Sequence, residues 1–233
     1  KTGAILEKEK GVNVVYTRKS DKYVTLNGRA SVANKAKADL FVSIHCDAHN
    51  SNAYGAGTFV LGLHRNQDNF RVSQKENAVI FLEDNYEQEY DGFDPNNPES
   101  VISLTLMQET YSNQSIEAAA TIQKSFVANL GRKDRTVKQA GFVVLKYTYM
   151  PSVLVETGFL TNKREGAYLN SKNGQRDLSN AIAKAIVNYK KELEKGVVSQ
   201  QVYENKESIK KQKEDILKTQ TQGASQEAIT PGI

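Results

Sequence analysis

The sequence predicts an α/β fold: a mostly parallel, twisted sheet flanked by helices on both faces, carrying an acidic, partly helical insertion. Three observations predict it. Residues 39–45 (DLFVSIH) and 152–157 (SVLVET) are nearly unbroken apolar runs, the pattern of strands covered on both faces. Segments with apolar residues at three- and four-residue spacing alternate with such runs. The 233 residues are 39% hydrophobic and 25% charged, the composition of a globular protein with a sizeable core.

Residues 1–10 read as the end of a helix. Residues 12–17 (VNVVYT) are β-branched, follow Gly11 and predict a strand. Thr25 is an N-cap for a helix that presents Leu26, Ala30 and Ala33 at helical spacing. Residues 39–45 and the glycine-bounded 57–62 (GTFVLG) predict two more strands, giving a βαββ opening. Residues 84–99 (DNYEQEYDGFDPNNPE) then hold six acidic residues and no Lys or Arg, with Pro95 and Pro98 enforcing irregular backbone. This excursion is the centre of an insertion spanning about 65–114, read either as solvated surface or as a lid. Within it Val101, Leu104 and Met107 predict a helix.

Regular structure resumes with a helix over residues 115–130, apolar at Ile122, Phe126 and Leu130 and ended by Gly131. Residues 141–145 (GFVVL) and 152–157 predict two further buried strands. The clearest periodic stripe is Leu178, Ile182, Ile186, Tyr189 and Leu193, closed by Gly196. Beyond it the composition turns polar. Val202, Ile209 and Ile216 keep a spacing of seven, but one apolar residue per heptad is too sparse for a coiled coil. Residues 1–196 therefore read as one domain and 197–233 as a polar linker or tail.

Composition excludes several classes of function. No run approaches the roughly 18 consecutive apolar residues of a membrane-spanning helix. The single Cys46 excludes an internal disulfide framework and a cysteine-based zinc knuckle. Lys and Arg number 31 against 27 Asp and Glu, a net charge of +4 without a dense basic tract, which argues against nucleic-acid binding.

Ligands in open α/β sheets bind beyond the carboxyl ends of the strands. His45 ends one apolar run and Glu156 ends another, so both are expected at one edge of one sheet. That pair has three ordinary uses: a metal ligand with an acid/base partner, a His–acid dyad, or a structural hydrogen bond. A lone strand-end His is more often structural, whereas a buried carboxylate without a partner is costly. Cys46 neighbours His45 but points to the opposite face of a strand, against a cysteine nucleophile paired with it. His49 falls in a loop, where four-residue spacing from His45 does not ensure a shared ligand, and His64 reads as surface.

Residues 17–48 (TRKSDKYVTLNGRASVANKAKADLFVSIHCDA), then GTFVLG, then residues 134–165 (DRTVKQAGFVVLKYTYMPSVLVETGFLTNKRE) resemble the zinc-dependent N-acetylmuramoyl-L-alanine amidases of bacterial cell walls. The likeness runs in order from about residue 12 to about 193, interrupted by the acidic excursion. It implies a hydrolase of peptidoglycan catabolism that cleaves the amide between N-acetylmuramic acid and the first L-alanine of the stem peptide. It also implies Zn²⁺ as cofactor, His45 as a zinc ligand, Glu156 as the catalytic acid/base, and a location in the cell envelope, periplasmic or secreted. The resemblance further implies a His and a Glu ligand on an opening strand and loop that have no counterpart in these 233 residues. Glu7 and Glu9 lie too late in the first helix to replace them. The expectation is an N-terminally incomplete version of an active enzyme, inactive if the natural chain starts at Lys1.

Some amidases of this kind carry a helix that covers the metal until an activator protein removes it. Residues from about 74 to 115 occupy the corresponding place here, with Glu76 the first candidate for a blocking carboxylate. The competing readings are a non-catalytic wall-binding or regulatory module on an amidase fold, and a metal-free hydrolase using His45 with Cys46.

Overall fold

The second strand, Ala56–Leu61 (β2), is buried at every position, as is Ser152–Phe159 (β4), because both lie inside a four-stranded sheet. A computed structural model describes residues 1–63, 67–97, 100 and 109–196. Phe41–Asp47 (β1) and Asp134–Ala140 (β3) complete the sheet in the order β1-β4-β2-β3. β1 runs parallel to β4 and β2 parallel to β3, while β2 and β4 are antiparallel. The chain divides into two units, Lys1–Lys190 and Lys191–Ile233. Among the described residues no helix is long and apolar enough to cross a membrane.

Among the described residues the α-helices are Thr2–Leu6 (α1), Leu26–Lys35 (α2), Gln67–Asn77 (α3), Tyr86–Glu89 (α4), Ser112–Leu130 (α5), Val143–Lys146 (α6), Lys163–Asn170 (α7) and Lys172–Glu194 (α8). Local chemistry sets their ends. Thr25 caps α2 by accepting the Gly28 N–H at 3.0 Å, and Gly131 ends α5 in the left-handed conformation at φ 58°. Asn162 caps α7 by accepting from the N–H groups of Arg164 and Glu165, both at 3.1 Å.

Residues alternate across the sheet. Thr58 faces α5 and donates to the Ala119 carbonyl at 3.1 Å. Gly57 and Phe59 face the other way. On that face Phe59 meets Phe142 edge to face at 5.4 Å, within a cluster that includes Phe41, Leu154, Ile80, Tyr90 and Phe93. The last three belong to the insertion. Its described part is therefore tied into the core: Tyr90 is only 1% exposed. Buried Glu83 anchors it to the start of α2, accepting from the hydroxyl of Tyr23, the hydroxyl of Tyr90 at 2.6 Å and the Leu26 N–H at 3.2 Å.

Two expected strands are corrected. Residues 12–17 form no strand, because no neighbouring ladder takes up their backbone groups, and Val15 is exposed. Residues 141–145 are not a strand either; the strand is the polar segment before them, β3, and Val143–Lys146 is the helical turn α6. A short apolar run buried on all sides looks alike in both states, and the polar β3 hid because it closes one end of the sheet order. The helix expected around Val101, Leu104 and Met107, along with His64 and the tail at 197–233, lies outside the described residues.

Candidate metal centre

His45 and Glu156 do not terminate their strands: β1 continues to Asp47 and β4 to Phe159. They sit inside the β1–β4 ladder as direct register partners, because both strands run in the same direction with Phe41 opposite Ser152. Strand alternation puts Ser43, His45 and Asp47 on one face of β1, and Leu154 and Glu156 on the matching face of β4. This is the face that α3 crosses. Glu76, on the last turn of α3, brings Oε2 to 2.7 Å from His45 Nδ1, and the opposite ring nitrogen Nε2 lies 2.9 Å from Ser43 Oγ.

Side-chain bonds fix α3 in that position. Asn77 donates to the Gly141 carbonyl at 2.7 Å and accepts the Val143 N–H at 2.9 Å, both in buried surroundings. Lys75 Nζ reaches Asp47 Oδ1 and the Ala48 carbonyl, each at 3.2 Å. Asp47 Oδ1 also accepts the Ala48 N–H at 2.6 Å.

Glu156 is the electrostatic anomaly of the site. It is 3% exposed, and neither carboxylate oxygen has a hydrogen-bond partner. Burial pushes its pKa well above the ordinary 4.5; the nearby Glu76 and Asp47 carboxylates push the same way, and Lys75 opposes them. A buried carboxylate with no partner costs several kcal/mol by general estimates, about the size of penalty a bound cation removes. One ligand atom from each of His45, Glu76 and Glu156 lies within 4.8 Å of the others. One imidazole nitrogen and two carboxylates are a donor set suited to a divalent metal. The residues present therefore fit a metal.

The other candidates do not join this cluster. Cys46 is exposed on the opposite face of β1, with Sγ 3.2 Å from Thr157 Oγ1, and both His45 nitrogens are engaged elsewhere. A Cys46–His45 nucleophile pair is thus absent among the described residues. His49 holds Ser51 Oγ at 2.8 Å through Nδ1 and packs nearly perpendicular to the Phe159 ring, 6.5 Å between centroids. Glu7 and Glu9 stand outside the cluster, Glu7 beside Tyr16. Asp47 and Lys75 went unrecognised in the sequence. The signal for Asp47 was its two-residue step from His45 along a strand; Lys75 had no local signal.

Comparison with known proteins places this geometry. The family model for N-acetylmuramoyl-L-alanine amidase matches residues 1–188. The chain is 32% identical over 183 residues to the N-acetylmuramoyl-L-alanine amidase AmiA of Salmonella typhimurium, covering 77% of this chain and 61% of that protein. It is 30% identical over 182 residues to the uncharacterized protein YqiI of Bacillus subtilis, covering 78% and 66%. The chain thus spans less than two thirds of the length of these curated relatives. Among solved structures, an N-acetylmuramoyl-L-alanine amidase from Clostridium difficile superposes with a TM-score of 0.58 at 26% identity, covering 81% of this chain and 77% of that one. With the match spanning all four strands and the His45–Glu156 ladder, the chain belongs to the N-acetylmuramoyl-L-alanine amidase family.

Proposed function

We propose that the protein is a zinc-dependent amidase of peptidoglycan. It hydrolyses the amide between N-acetylmuramic acid and the L-alanine of the stem peptide, in wall remodelling and daughter-cell separation within the cell envelope. The observation that carries this reading is Glu156: a buried carboxylate without a partner, in register with His45, inside the segment matched by the family. Residues 1–196 form the catalytic domain, with the insertion at about 65–114, and 197–233 a polar tail.

His45 is a ligand for the zinc. When bound, the ion polarises the scissile carbonyl and makes water a better proton donor at neutral pH. Glu156 does the proton work. Its carboxylate accepts a proton from the attacking water and returns it to the departing alanine nitrogen. Burial raises its pKa above that of an ordinary Glu, which makes the carboxylate a stronger base for taking the water proton. Low solvent access keeps competing water from the carboxylate.

Glu76 is a blocking carboxylate. Its contact with His45 Nδ1 at 2.7 Å would compete with any group approaching that nitrogen, and the bonds of the neighbouring Asn77 and Lys75 hold α3 in place. An activator protein that draws α3 away from β1 would free the site. A non-catalytic wall-binding module has less support, since it gives no reason for a costly buried Glu156 beside His45.

The test is metal content and wall digestion by the full natural protein. About one zinc per chain, release of new L-alanine amino termini from purified wall, and loss of that release in Glu156→Gln support the reading. A stoichiometrically zinc-loaded protein that leaves wall intact even after the blocking segment is cut would refute it.

A further inference from the structure

The cleft that ends on Glu156 has a cationic wall with no part in the chemistry above. It lies between α3 and the sheet, encloses about 80 Å³, and is lined in part by Gly57, Arg135, Lys138 and Glu156. In a regular strand residues 135 and 138 would point to opposite faces. Here both line the same cleft, because β3 bulges. Ala56 pairs with Asp134 but Thr58 pairs with Val137, so three residues of β3 are set against two of β2.

The extra residue is Thr136, whose φ of 65° puts a β-branched side chain in the left-handed region. Asp134 Oδ1 holds the kink by accepting the Thr136 N–H at 2.7 Å. Strain of this kind persists where the surroundings impose it, and here it turns two cations toward one cavity.

The surroundings keep those cations available. The Arg135 guanidinium lies 4.9 Å from the Phe159 ring centroid, and Lys138 Nζ lies 5.3 Å from that of Phe59. Both side chains are half-buried. Burial, then repulsion from Arg135, lowers the Lys138 pKa, against the weaker pull of Asp47 and Asp68. Among the described residues no carboxylate comes within ion-pairing distance of either cation. Gly57, register partner of Glu156, leaves the floor between Glu156 and Arg135 open; a Cβ there would lie 3.4 Å from the Arg135 Cβ.

We propose that Arg135 and Lys138 form a carboxylate subsite that receives the peptide side of the substrate. The inference rests on the amidase reading and adds an orientation to it. The muramoyl carboxyl is consumed in the scissile amide, so free carboxylates occur on the peptide side of the bond alone. The peptide therefore lies over β2 and β3, and the sugar on the β1 side of Glu156. Stem peptides whose carboxylates are amidated are poorer ligands.

Calorimetric titration of the full chain carrying Glu76→Ala, which removes the blocking carboxylate, tests this without turnover, using a product-side tripeptide that begins with L-alanine and its carboxamide counterpart. The free carboxylates are expected to strengthen binding about tenfold, the ordinary size of a charge-assisted contact. Arg135→Gln with Lys138→Gln abolishes the preference, while Lys133→Gln, stacked on Tyr54 away from the cleft lining, keeps it. Equal binding of the two peptides, binding of neither, or a preference undiminished in the double variant overturns the subsite. Wall hydrolysis is read separately: hydrolysis without peptide preference defeats the subsite alone, and preference without hydrolysis defeats the amidase reading alone.

Discussion

Glu76 Oε2 lies 2.7 Å from His45 Nδ1, so the helix that roofs the cleft also places a carboxylate on the imidazole at its inner end. The same contact reads as a third ligand and as a stopper, and the two differ in what its removal does. As a stopper, Glu76→Ala raises peptide release from purified wall about tenfold, a coupling of ordinary size, while zinc stays near one per chain. A fall in both activity and zinc content would make Glu76 a ligand instead.

Glu156 links stability to pH. Its folded pKa is raised by burial above the ordinary 4.5, so between those two values the native state holds a proton that the unfolded chain has lost. The metal-free protein is therefore most stable, on this account, below about pH 4.5, and loses that contribution as pH climbs through the raised pKa. Glu156→Gln flattens this slope and raises the melting temperature at neutral pH, by roughly 2–4 °C for each kcal/mol relieved in a chain of this size. Added zinc reproduces the gain in the parent protein and adds less in the variant, which keeps His45 but no longer carries the buried charge that the ion would offset. Melting curves from pH 4 to 8, with and without zinc, check each arm.

Glu83 is the opposite kind of buried carboxylate, fully partnered. Its loss in Glu83→Ala strands the Tyr23 and Tyr90 hydroxyls and the Leu26 N–H that now share it. The expected cost is about 3 kcal/mol, read as a lower denaturant midpoint with little change in slope. Because Glu83 ties the insertion to α2, early proteolysis of residues 67–97 should accompany the loss.

Thr136→Gly relieves the left-handed backbone at the β3 bulge. Glycine adopts that conformation without the clash of a Cβ, so the variant gains on the order of 1 kcal/mol, reduced by its own greater freedom when unfolded. Thermal melting checks the sign. A loss of stability would show that the Thr136 side chain contributes more than its strain costs.

Much of this protein is legible in one dimension. Thr25, Gly131 and the stripe from Leu178 to Tyr189 declare their helices because capping and amphipathic spacing act within a few residues. The runs around His45 and Glu156 declare buried strands for the same reason, and their polar ends mark the residues of interest. What pairs with what is decided at long range. Residues 12–17 have every strand preference and no partner, residues 141–145 pack as a helical turn, and β2 lies antiparallel to β4 between two parallel pairs. The site follows the same division. His45 and Glu156 stand out in the sequence, but their register, the reach of Glu76 across 31 residues, and the bulge that brings Arg135 beside Lys138 depend on contacts between distant segments. Hydrogen-bonded turns and apolar spacing are local properties of a chain, whereas ladder direction and the facing of a side chain are settled by whichever partner buries the most surface.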